Sequence, residues 1–147
     1  MKILAIDTTH EFGSLALAED GSVVESVALH APDGFSVVLF GYIDELLRKH
    51  GWAVADIELF AAASGPGSFT GVRVGLTAVK ALAEAWGRPC FGVSNLAAMA
   101  EFGTLPVRVA ITDARRGEVY GGVYSAGSGV EIVAPLDAFL ATVRAFL

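Results

Sequence analysis

Three stretches of this 147-residue chain carry groups able to do chemistry. The run Gly65-Pro66-Gly67-Ser68-Phe69-Thr70-Gly71-Val72-Arg73-Val74-Gly75 lies between a segment that reads as a strand and one that reads as a helix. Backbone amides and the helix dipole can hold an anion at such a junction, with Gly67 and Ser68 as candidate donors. Neither common phosphate pattern is met: no Lys-Ser/Thr pair follows the glycines, and Thr70 stands where the dinucleotide fingerprint needs glycine. The same residues also read as a structural turn. Asp7-Thr8-Thr9 closes the first apolar run, and Asp113 closes its counterpart later in the chain. Carboxylates so placed can hold a hydrated Mg²⁺ beside phosphate, or they can cap turns by bonding nearby amides. Asp113-Ala114-Arg115-Arg116-Gly117-Glu118-Val119-Tyr120 is the most polar cluster. Its Arg115 and Arg116 suit bidentate recognition of phosphate or carboxylate, or form a solvated turn. His10, His30 and His50 lack the spacing of a helical metal pair, Cys90 has no CxxC companion and Ser68 no G-x-S-x-G elbow. No catalytic residue, metal or cofactor is expected from this chain alone.

The elements that must position these residues are legible from periodicity and punctuation. Lys2–Ile6, Ser14–Ala18 and Ser22–Leu29 read as an antiparallel meander with a hairpin at Asp20-Gly21. A helix is predicted from a cap at Ser36 to His50-Gly51, a buried strand over Leu59–Ser64, and the strongest helix over Thr70–Trp86, closed by Gly87. A strand over Pro89–Val93 and a short helix over Asn95–Phe102 complete the first set. A second meander over Val107–Thr112, Glu118–Ser125 and Val130–Val133 follows, with a final helix over Pro135–Phe146. The class is α/β, with a first lobe at residues 1–103 and a partial copy at 104–147.

Composition narrows the function. Hydrophobic residues make up 54% of the chain and charged residues only 18%, which excludes disorder and predicts that a lone monomer exposes apolar surface. Sixteen acidic against ten basic residues give a net charge of -6, a poor match for direct nucleic-acid binding. A single cysteine suits a reducing compartment. The apolar N-terminal run is too short for a signal peptide, and Leu59–Val72 is too short to span a bilayer. A cytoplasmic protein without membrane contact is expected.

Both long helices carry more apolar surface than one buried face needs. On the second, Arg73, Thr77, Lys80 and Glu84 form one narrow polar stripe, and nearly every other position is apolar or small. Gly71-x-x-x-Gly75 lets another backbone approach closely. On the first, Val37, Val38 and Phe40 lie off the main apolar face. Val37, Val38, Phe40, Gly71, Val74, Gly75 and Ala78 are therefore the candidate partner-interface residues, with burial between neighbouring helices as the alternative.

Meander followed by alternating helices and strands is the ribonuclease-H-like order, and its duplication is the plan of the actin-like ATPases. Ile3-Leu4-Ala5-Ile6-Asp7-Thr8, the Gly65–Arg73 run and Asp113–Tyr120 together closely resemble the bacterial TsaB (YeaZ) family. The resemblance implies a scaffold subunit of the machinery that makes threonylcarbamoyladenosine beside the anticodon of tRNAs reading codons that begin with A. It implies pairing through the first two helices with a catalytic TsaD-type paralogue, and a TsaE-type ATPase that joins them. It further implies a homodimer in isolation, and contact with tRNA only through the complex. Where the family opens its first helix with Ser-Glu-x-Leu-x-Pro, this chain has Ser36, Val37, Val38, Leu39, Phe40 and Gly41. Residues 104–147 also supply less than the family's second lobe. The rival reading is an actin-like Mg-ATP phosphotransferase using Asp7 and Asp113; a homodimeric module binding a small anion at the Gly65 loop is a third.

Overall fold

A computed structural model describes residues 1–147. The chain divides into two compact units, Met1–Val93 and Ser94–Leu147. In the first, β1 (Lys2–Asp7), β2 (Phe12–Glu19) and β3 (Ser22–His30) form the meander, followed by α1 (Leu39–Lys49), β4 (Leu59–Ala63), α2 (Phe69–Trp86) and β5 (Cys90–Val93). The sheet order is β3-β2-β1-β4-β5. β1 pairs antiparallel with β2 and parallel with β4, so Leu4 stands between Leu17 and Phe60, and Ile6 between Leu15 and Ala62. These six side chains are nearly inaccessible and form one face of the sheet. Leu39, Ile43, Leu46 and Leu47 of α1 and Ala78, Val79 and Ala83 of α2 complete that core.

Local chemistry explains the helix ends. The Ser68 hydroxyl caps α2 by accepting the Gly71 N–H at 3.3 Å, and Gly87 closes the helix in the left-handed conformation with φ 60°. The cap expected at Ser36 is not used. α1 starts at Leu39, with Val38 at the cap position and no side-chain cap bond. Phe35 is buried, and its carbonyl accepts the Val38 and Leu39 N–H groups at 3.2 and 3.0 Å, so tertiary anchoring replaces a polar cap.

The second unit contains α3 (Asn95–Ala100), the sheet β6 (Arg108–Arg115), β7 (Glu118–Ser125) and β8 (Ser128–Pro135) in that order, and α4 (Leu136–Phe146). It repeats the antiparallel meander of β1 to β3. Leu96 and Ala100 of α3 pack with Ala110, Tyr120 and Tyr124 of the sheet, which groups α3 with this unit. Phe139 of α4 presses so closely on Gly121 that a Cβ there would fall 2.2 Å from its ring. No helix of the chain is long and apolar enough to cross a membrane.

Candidate functional site

Because β1 and β4 run parallel with Ile6 beside Ala62, the loops that leave them emerge at the same end of the sheet. Two of the three motifs singled out in the sequence therefore meet. The Ser68 N–H donates to the Thr9 carbonyl at 2.6 Å, and the Thr8 hydroxyl donates to the Gly71 carbonyl at 2.7 Å. Thr8 and Thr9 are buried, and α2 seats directly on them. A Cβ added at Gly67 would lie 2.6 Å from the Thr9 Cβ, one at Gly71 only 2.0 Å from the Thr8 carbonyl oxygen, and one at Gly75 2.7 Å from the Thr8 hydroxyl. The close backbone approach that Gly71 and Gly75 permit is thus made by the chain's own β1 terminus. Gly75 is buried and Gly71 half-buried at this contact.

The polar groups of this junction are engaged in folding. The Asp7 Oδ1 accepts the Thr9 N–H at 2.8 Å and the Thr9 hydroxyl at 2.7 Å, an arrangement that caps the turn. Asp113 acts in the same way in the other unit, its Oδ1 accepting the Arg115 N–H at 2.7 Å. Asp113 does not end its strand but sits at an irregularity of the β6–β7 hairpin. There Arg115 and Arg116 both take the left-handed conformation, with φ of 67° and 54°, before Gly117. Their side chains are exposed. Ser68 and Gly67 shape the start of α2, and Ser68 caps it, as the turn reading requires.

The open apolar feature of the first unit lies between the two helices. A groove of about 460 Å³ is lined by Ser36, Leu39 and Phe40 from α1 and the turn before it, and by Phe69, Thr70, Arg73, Val74, Thr77, Ala78 and Ala81 of α2. Of the expected interface residues, Phe40 and Val74 line it, and Ala78 forms its floor at 4% exposure. Val37, at 90% exposure, and Val38 stand on the approach to α1. Sequence reading missed Phe69, which is 71% exposed. The signal was available: with Ser68 as the cap, Phe69 is the first helical residue. Arg73 stacks over it, the guanidinium carbon 3.9 Å from the ring centroid.

An open apolar groove on helices that also close a core is suited to receive another molecule. Residues 28–146 match the family described as TsaD: tRNA N6-adenosine threonylcarbamoyltransferase. The Escherichia coli (strain K12) tRNA threonylcarbamoyladenosine biosynthesis protein TsaB is 40% identical over 129 residues, covering 84% of this chain and 55% of that protein. The solved structure of YeaZ from Pseudomonas aeruginosa superposes with a TM-score of 0.76 at 33% identity, over 93% of this chain and 72% of that one. The chain belongs to the TsaB (YeaZ) family. This TsaB-family chain spans about half the length of the curated relatives it matches. A ROK family protein from Streptococcus pneumoniae shares the fold alone, at 14% identity and a TM-score of 0.52, over 88% of this chain and 48% of that one. The architecture is the ribonuclease-H-like, actin-like one. The phosphotransferase alternative is not favoured, with Asp7 and Asp113 each committed to a turn.

Proposed function

We propose that this chain is a non-catalytic scaffold subunit of the complex that forms threonylcarbamoyladenosine next to the anticodon of tRNAs reading codons that begin with A. Its α1–α2 face pairs with a TsaD-type paralogue that carries the chemistry, and a TsaE-type ATPase joins the pair. tRNA is met through the assembled complex, in keeping with a net charge of -6. The chain works in the cytoplasm, and in isolation the same face pairs with a second copy. The observation that carries this reading is the groove: exposed Phe40 and Phe69 flank a shared apolar floor on a chain 40% identical to a protein named TsaB. Val37 and Val38 extend the contact beside it.

Size-exclusion chromatography of the chain mixed with the TsaD-type paralogue of its own organism tests the reading. One heterodimer peak is expected. Val74→Arg places a cation on the groove wall with no carboxylate beside it and should weaken pairing at least about tenfold. Val74 is half-buried and packs against the core, whereas Ala78, at 4% exposure, lies within it; a thermal melt of the Val74→Arg chain separates loss of pairing from loss of fold. Separate elution of the two chains at all concentrations would refute the scaffold role.

A further inference from the structure

The α1–α2 groove holds a single charge. Among its lining residues Arg73 alone is ionic, and it enters none of the ion pairs within the chain. The Arg48–Asp44 pair of α1 is a local one, between residues one turn apart. The carboxylate on the polar stripe of α2, Glu84, stands 11 positions after Arg73, which is roughly 16 Å along the helix axis. It lines a different cavity together with Lys80 and Arg88. Arg73 is also pre-positioned, its guanidinium held over the Phe69 ring at 3.9 Å.

Any occupant of the groove takes Arg73 out of water. Two copies joined about a two-fold axis through the middle of the groove would set lining against lining. Two guanidiniums and no carboxylate would then share one apolar seam. A buried cation without a partner is costly, because lost hydration is not replaced. A different chain bearing a carboxylate opposite Arg73 removes that cost and adds fork-shaped hydrogen bonds. Stacking on Phe69 reduces the side-chain freedom lost when those bonds form.

Resting on the scaffold reading above, we propose that Arg73 selects the occupant of the groove. The occupant is a different chain whose docking helix presents an apolar face interrupted by one Asp or Glu against Arg73, and self-pairing through the same groove is the weaker mode. Analytical ultracentrifugation of the whole chain and calorimetric titration with the TsaD-type paralogue test this on wild type, Arg73→Met, Arg73→Lys and Glu84→Gln. Arg73→Met should tighten self-association about tenfold and weaken pairing with the paralogue about tenfold. Arg73→Lys keeps the charge without the fork and should fall between. Glu84→Gln should change neither. Weaker self-association in Arg73→Met or Glu84→Gln would show that the second copy supplies the carboxylate and would overturn the proposal. If the wild-type chain binds the paralogue and Arg73→Met binds it equally, the selectivity role alone falls. If the wild-type chain does not bind the paralogue at all, the scaffold reading falls and this inference with it.

Discussion

Replacing glycine by alanine in a helix interior ordinarily stabilises a protein, by up to about 1 kcal/mol. In this chain the same change should have opposite signs in the two long helices. At Gly41 of α1 nothing lies within 4 Å of the added Cβ, so Gly41→Ala should gain about 0.5–1 kcal/mol. At Gly71 of α2 the Cβ would sit 2.0 Å from the Thr8 carbonyl oxygen, about 1.3 Å inside the ~3.3 Å at which carbon and carbonyl oxygen normally touch. The obstacle is backbone on both sides, so no rotamer relieves it. α2 must lift from β1, lengthening the 2.7 Å bond from the Thr8 hydroxyl and loosening the contact with Ile6 and Ala62. Overpacking of this kind costs about 1–3 kcal/mol, and an immovable obstacle puts it near the upper end. After the helix-propensity gain the net loss is about 2 kcal/mol, or roughly 4–8 °C in melting temperature for a chain of this size. Urea unfolding followed by tryptophan fluorescence reads the effect, since both Trp52 and Trp86 lie in the first unit. A Gly71→Ala protein as stable as wild type would refute the claim that α2 is seated on Thr8.

Three further outcomes are expected. Thr8→Val removes a buried donor to the Gly71 carbonyl and should cost about 1 kcal/mol in the same unfolding assay. Glu25 binds Lys49 Nζ at 2.6 Å and His50 Nε2 at 2.5 Å, and the Lys49 bond first, then the His50 bond, holds its carboxyl below the usual range. Its stabilisation is therefore complete above the ordinary glutamate pKa of about 4.3 and is lost as the pH falls through the lowered value. Denaturation measured across acid pH should show a shallower decline in Glu25→Gln than in wild type. Burial, and then donation to the Glu131 carboxylate, pushes the Tyr124 phenol up to about 12. Stability should consequently fall as pH rises from about 10, the ordinary tyrosine value, toward about 12, and Tyr124→Phe should lack that loss and the matching late phenolate absorbance step.

Features decided within a few residues of chain were the readable ones. Gly87, Asp20-Gly21 and the Arg115-Arg116-Gly117 turn each signal a local geometry, and the structure places a left-handed stop and positive-φ turns there. Ser36 misled because burial of Phe35, a tertiary event, fixes where α1 begins. Gly71-x-x-x-Gly75 signals a site of close approach. The approaching backbone, Thr8, lies 63 positions earlier, and spacing alone cannot say whether such a neighbour is the chain's own. The groove was legible as an excess of apolar surface on two helices. Its outline was not, because Phe69 and Phe40 come together only once both helices are laid on the same sheet.

The glycine seating of α2 also bears on how such a surface can change over generations. Its inward side offers no atoms beyond backbone at Gly71 and Gly75, while Phe69, Arg73 and Thr77 on the outward side contribute nothing to the buried core. Substitutions at those outward positions are felt by whatever docks there and scarcely by folding itself. The docking surface can therefore drift in step with its counterpart while the fold beneath it is left intact.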